Sequence, residues 1–317
     1  MLFADETLQR AAAGDSATLA ALDERGLLPG AGETLTDYTT RLHQLQDRLT
    51  GLEQQLAETG SFTVENMTFQ ATDRIDPLLF AEASEKTRAL FGFAVDWVPG
   101  FYVDPKCAWL FGGCAFSFDP DFFSLFIIRK VFATRSRWFL YSRRELLAHE
   151  LAHAARFALY DAKYDERFAY LTAETGFRRS LGSVFRTPSD SFLLLGSTLL
   201  LLLAQVLKFS ILPWLPMWLF WGLVAAAALF LAGRHLLTSA EFARARRSLG
   251  MVFGEHALPV LFRCSSAEIA ELARLRNPQE ARLWAEQRRD RDWRWRVIWT
   301  RFGTTPVQRG QNAGAYP

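Results

Sequence analysis

Residues 149–153 read HELAH, two of the chain's five histidines set four apart around a glutamate. On a helix, positions four apart lie one turn apart on the same face, so the imidazoles of His149 and His153 can reach a common point. Imidazole is a common ligand of divalent metals, and two on one face supply most of a three-ligand site. Glu150, one residue around the axis, stands beside that point, where its carboxylate can take a proton from an activated water. The surrounding stretch YSRRELLAHELAHAARFALY contains no helix breaker before Tyr160. It opens with Ser142 and Glu145 at the spacing of a capping box, which predicts where the helix begins. Two solvated histidines on an amphipathic helix would give the same spacing but leave Glu150 without a purpose.

The pattern HExxH resembles that of the zinc metallopeptidases called zincins. That resemblance implies a catalytic Zn2+, a third protein ligand and a position left open for water. No further histidine follows closely, so the third ligand falls among acids, as in gluzincins. Asp165, Glu166 and Glu174 lie in YDERFAYLTAETGFRR, and Glu241 lies in SAEFARARRSLG. Glu166 heads an ExxA pattern similar to the one that bears the glutamate ligand in several compact gluzincins. A small residue one turn on, Ala169, would let its helix lie close to the HELAH helix, and Tyr170 would project from the same face.

Glu241 has a separate claim. The order HELAH, apolar hairpin, EFARA resembles membrane-embedded peptidases of the prenyl-protein-processing and heat-shock types, whose ligand glutamate comes in ExxxD beyond the hairpin. Here position 245 is alanine, which favours Glu166. This resemblance covers about Tyr141 to Leu249 and is specific only in its pentapeptide. The chemistry implied is hydrolysis of a protein or peptide substrate, with Glu150 as general base. Tyr170 is the first candidate to stabilise the oxyanion, and Arg156 and His256 come next.

The elements that would position these residues change texture along the chain. Residues 5 to 25 read as a short helix stopped by GLLPGAG. Leu35, Tyr38, Leu42, Leu45, Leu49, Leu52 and Leu56 then alternate at spacings of three and four. This is the stripe of an amphipathic helix packed on its own domain, or a coiled-coil seam through which the chain could form a homo-oligomer. From Ser61 to Tyr141, SFTVENMTF, FAVDWV, FYV, CAWLFGG and SLFIIRKVF read as strands of a small, mainly antiparallel sheet, with a helix near 76–91. SLFIIRKVF (Ser124 to Phe132) is either a core strand or an edge able to pair with extended substrate.

Between Ser191 and Gly233 the only charge is Lys208. Two spans of about 20 residues each fit there, joined by ILPWLP with Trp214, Trp218 and Trp221 near the turn. Arg178, Arg179 and Arg186 precede this hairpin, and Arg234, Arg244, Arg246 and Arg247 follow it. By the positive-inside rule both ends and the HELAH helix face the cytoplasm. SSAE (265–268) and NPQE (277–280) start later helices. RRDRDWRWRVIWTRF suits either a helix at the membrane surface or a self-packed terminal helix, and its interspersed acids argue against nucleic acid. The tail from residue 304 is polar and glycine-rich, which predicts disorder.

Composition agrees with a folded, cytoplasm-facing membrane protein. Half the residues are hydrophobic and the net charge is +2, which excludes a disordered chain and gives no general attraction to nucleic acid. The three cysteines, Cys107, Cys114 and Cys264, lack CxxC spacing and suit a reducing compartment. MLFADETLQR is unlike a secretory leader.

The expected fold is therefore α+β. A helical region (1–60) precedes a zincin-like domain (61–189) built from a small sheet and the HExxH helix. A transmembrane hairpin (190–233), a helical region (234–303) and a tail (304–317) follow. The rival reading is an inactive membrane scaffold of the same fold that binds a partner through its N-terminal helices.

Overall fold

The computed structural model describes residues 3–64, 67–104, 112–118, 123–139 and 141–303. The expected disordered tail, and Cys107 with most of CAWLFGG, lie outside these residues. The chain begins with α1 (Asp5–Ala12) and α2 (Ser16–Glu24), two helices where the sequence suggested one. Gly14 adopts a positive φ of 77°, and the Asp15 side chain caps α2 by accepting from the Thr18 amide.

The long α3 (Leu35–Thr59) turns its heptad stripe inward: Tyr38, Leu42, Leu45, Leu49, Leu52 and Leu56 are all buried in the chain's own core. The surface a coiled-coil partner would need is thus spent internally.

Among the described residues the strands form three small sheets. β1 (Ser61–Val64) and β2 (Met67–Gln70) make an antiparallel hairpin, and α4 (Pro77–Phe91) follows. β3 (Gly100–Val103), β4 (Gly113–Phe118) and β5 (Phe123–Arg129) form a mixed sheet in the order β3-β5-β4. β5 runs parallel to β3 and antiparallel to β4. Three of the four strand pairings are antiparallel, as expected, with β3–β5 the parallel exception; β5, the body of SLFIIRKVF, is the centre of the mixed sheet, and among the described residues β4 holds one edge. FAVDWV is not a strand. Its polar groups bond elsewhere: the Ala94 amide donates to Glu24, Ser84 and Thr87 hydroxyls donate to the Val95 and Phe93 carbonyls, and Trp97 Nε1 donates to Arg25. A last pair, β6 (Arg137–Trp138) and β7 (Tyr141–Ser142), leads into the HELAH helix, α5 (Arg143–Arg156).

α6 (Asp165–Tyr170) and α7 (Gly176–Leu181) precede the apolar hairpin, α8 (Pro188–Ser210) and α9 (Trp218–Phe253). Both hairpin helices are long and apolar enough to cross a membrane, and only 17% of the apolar window in each is buried. A core helix of a soluble protein would be covered; these present Leu199, Leu203, Val206, Phe209, Leu229 and Phe230 outward. α9 does not end with its apolar stretch. It runs on as one helix to Phe253 and buries Phe242, Ala245, Leu249 and Phe253 in the core.

α10 (Ala257–Phe262), α11 (Ser266–Leu272), α12 (Pro278–Arg291) and α13 (Trp293–Phe302) complete the chain. The expected caps form at Ser265 with Glu268 and at Asn277. The tryptophan-rich α13 buries Trp295, Val297, Ile298 and Phe302, so it is a core helix and not a membrane-surface one. A single apolar core extends from Phe3 to Phe302, uniting the N-terminal, sheet and C-terminal regions.

Candidate metal centre

α5 is rich in alanine and leucine and lacks β-branched residues, which suits a helix that must pass through the core. Leu147, Ala148, Leu151, Ala152 and Ala155 bury one side of it, and His149 and His153 share another. The chain then leaves the helix through a short 3-10 turn (Phe157–Leu159) and Tyr160 at φ 47°, and α6 returns across it. Ala169 is fully buried there, as the close approach of α6 to α5 demands. Phe168 anchors α6 beneath, ringed by Phe91, Phe242 and Phe262 and covered by the Arg156 guanidinium at 4.2 Å.

This crossing brings His149, His153 and Glu166 together. The two Nε2 atoms are 3.1 Å apart; Glu166 Oε2 lies 3.6 Å from His149 Nε2 and Oε1 lies 3.5 Å from His153 Nε2. Ligands at zinc-bond length in a tetrahedron stand about 3.3–3.4 Å apart, so the spacing and the donor chemistry both fit a divalent ion such as zinc. The outward ring nitrogens are engaged as well. His153 Nδ1 is 2.6 Å from Asp165 Oδ2, and His149 bonds the Ala169 backbone. Such carboxylate and carbonyl partners fix the tautomer that turns Nε2 toward a metal.

Electrostatics favour a cation at this point. Burial, with His153 and Arg178 nearby, holds the His149 pKa well below its ordinary value, so its ring is a neutral donor. Burial also opposes charge on His153. Asp165 outweighs it, with help from Glu150 and Glu166, and lifts the pKa to about 10. Three carboxylates thus converge on one imidazole and demand positive charge there. Burial pushes the Glu150 carboxyl up to about 7, against the pull of His153 and the Ala115 amide. That amide donates to Glu150 Oε2 at 2.9 Å.

The other sequence candidates have different places. Asp165 faces the far side of His153 and orients it. Glu174 accepts from Arg137 and from the Ser142 hydroxyl at 3.1 Å, and Glu241 takes Lys163 Nζ at 2.6 Å; neither joins the cluster. The predicted capping box is not made, because Ser142 reaches Glu174 while Glu145 accepts from the Glu174 amide and pairs with the Arg178 guanidinium. Tyr170 packs edge-on against His149, ring centroids 4.7 Å apart. Arg156 is buried behind the site, bonded to Asp161 and the Phe262 carbonyl, and His256 packs at a tilt against Phe302 in a different part of the fold. Neither is placed to meet an oxyanion.

Sequence reasoning missed two contributors. Arg178 bonds Tyr170 and Glu145 and lends positive potential to His149; its only signal was membership of an arginine pair. The Ala115 amide has no sequence signal, since a backbone group carries none. Compared with protein-family models, curated proteins and solved structures, the chain matches none, and the reading of this centre rests on its own geometry.

Proposed function

We propose that the chain is a membrane-anchored zinc metallopeptidase of gluzincin type, its α5–α6 unit and mixed sheet acting as a zincin-like catalytic domain on the cytoplasmic side of the hairpin. The observation that carries this reading is the convergence of His149, His153 and Glu166 donor atoms, all within 4.8 Å of one another, beside the Glu150 carboxyl. His149 and His153 would hold the ion through Nε2, and Glu166 through its carboxylate. The chemistry that bound zinc supplies is an acidified water and a polarised carbonyl.

The chain's own groups supply the rest. Burial raises the proton affinity of the Glu150 carboxyl, and Glu150 would take a proton from the attacking water and return it to the leaving amine. The Ala115 amide holds Oε2 in place for both transfers. Asp165 keeps His153 from rotating. Tyr170, beside His149 and bonded to Arg178, is the hydroxyl offered to developing negative charge. β4 lies at the sheet's edge, with Ala115 facing the site, so an extended peptide can add to it as a further strand and present its carbonyl to the cluster.

The test is metal content. Purified protein should hold stoichiometric zinc, and the His149→Ala variant should hold none. Wild type without zinc, indifferent to chelators, would sink the enzyme reading and leave the scaffold.

A further inference from the structure

Apolar surface does not stop where the hairpin's charge-free stretches end. Asp190, at the start of α8, pairs with Arg234 of α9 at 2.6 Å and closes the hairpin's open end. Past that pair, Leu236 and Leu237 are still 67% and 74% exposed. His235, between Arg234 and this leucine pair, is hydrogen-bonded to the backbone of Ser180 and Ser183, so α7 and the 3-10 turn after it (Gly182–Val184) are held at the same level of α9. There Phe177 is 73% exposed, and Leu181 and Phe185 also face solvent. Residues 175–189 carry Arg178, Arg179 and Arg186 and no acid.

The inner side of this segment meets the metal cluster. A Cβ on Gly182 would fall 2.1 Å from the Tyr170 ring, so that ring lies directly on the Gly182 backbone. The same ring touches His149. One short stretch is therefore apolar and basic outside and a single ring away from the candidate metal ligands inside.

We propose that Gly176–Phe185 is a membrane-interface collar: Phe177, Leu181 and Phe185 enter the headgroup layer of the leaflet that α8 and α9 penetrate, and Arg179, exposed while Arg178 turns inward to Glu145, meets anionic lipid. The occupant follows from continuity with the hairpin's outward apolar faces and from the all-basic charge of the segment. Aromatic and leucine side chains beside arginines are the composition that partitions to that layer. The inference rests on the hairpin spanning a bilayer, and it adds that the cluster sits at the lipid surface, with Tyr170 packed between the two.

The experiment places an environment-sensitive fluorophore on one introduced cysteine at a time, in full-length protein with Cys107 and Cys114 replaced by serine and Cys264 left in the core, where it is fully buried. The protein is reconstituted in phosphatidylcholine vesicles containing phosphatidylglycerol. Labels go on Leu200→Cys in the hairpin, on Phe177→Cys and, independently, Leu181→Cys in the collar, and on Leu78→Cys, equally exposed on α4. Expected is loss of emission at 200 with a quencher carried deep in the acyl chains. Loss at 177 and 181 is expected with a quencher at headgroup depth, and none with either at 78. Quenching at 200 with 177 and 181 behaving like 78 overturns the collar and leaves the hairpin intact. A blue-shifted label at 177 or 181 that no lipid quencher reaches assigns the surface to protein and overturns it too. Absence of quenching at 200 removes the membrane reading, and the collar with it.

Discussion

Two buried charged clusters in this molecule are built on opposite principles. Around Asp23, the Arg263 guanidinium bonds both carboxylate oxygens at 2.8–3.0 Å and spends its remaining group on the Phe91 and Pro259 carbonyls. Arg301 adds a further bond to Asp23 and one to the Gly92 carbonyl. Every charge there has a partner of opposite sign or a carbonyl. The centre on α5 and α6 has three carboxylates around two imidazoles, and two ring nitrogens face each other across 3.1 Å. The first cluster joins α2 to α10 and α13 and is closed. The second has unbalanced charge, and that imbalance is what marks it as the candidate binding site among the chain's many buried ion pairs.

The contrast can be broken from either side. Glu150→Gln should cut peptidase turnover by about 10²–10⁴-fold, the usual worth of a general base, while zinc content stays at wild-type level. Its raised pKa means that folding favours the protonated form, so at neutral pH the ionised side chain costs stability. The amide variant should therefore melt no lower than wild type. Loss of metal from it would show that Glu150 is a ligand.

Asp23→Ala should do the reverse, since it strands two arginines among apolar neighbours. A loss of about 3–5 kcal/mol is expected in denaturant titration, with zinc still bound by whatever fraction remains folded. An unchanged midpoint would mean that the closed cluster is not a structural tie.

Asp165→Asn sharpens the picture within the open cluster. Removing the carboxylate behind His153 should weaken zinc by about 10–100-fold, read by competition with a chelator, and Glu166→Ala should weaken it more. The smallest effect is expected at Glu241→Ala, which removes a partner of Lys163 outside the cluster and should leave affinity nearly unchanged. Should Glu241→Ala release the metal while Glu166→Ala retains it, the third ligand has been misassigned.

Much of the open cluster was legible because helical phase alone brings His149 over His153, and because Ala169 announces the close crossing that delivers Glu166. Asp165 was legible only as an acid. Whether it or its neighbour faces the imidazoles' Nε2 side is set by the phase of a six-residue helix, which no sequence pattern of that length determines. The caps show a similar limit. Ser265 and Glu268 cap α11 as spaced, whereas Ser142 and Glu145, at the same spacing, are drawn off by Glu174 and Arg178 from a later turn. Tertiary partners of opposite charge outcompete a local bond. The tryptophans of α13 read equally as membrane-seeking or self-packed because their ties, Trp293 to Glu33 and Trp295 to Glu268, reach to distant parts of the chain. β5 looked like a possible edge because a strand's place in a sheet is decided by its neighbours.

α9 gives these parts a mechanical relation. Its 36 residues form one helix without proline, about 54 Å from end to end at 1.5 Å per residue. At one end lie Trp218 and Trp221; toward the other, Phe242 presses on Phe168, the side chain that seats the Glu166 helix. A continuous helix carries a change of tilt at one end toward the other. On the proposed reading, in which the hairpin spans a bilayer, a thinner or thicker membrane that the span meets by tilting would be felt as leverage under α6, and the thickness of the lipid would become a setting on the geometry of the three candidate ligands.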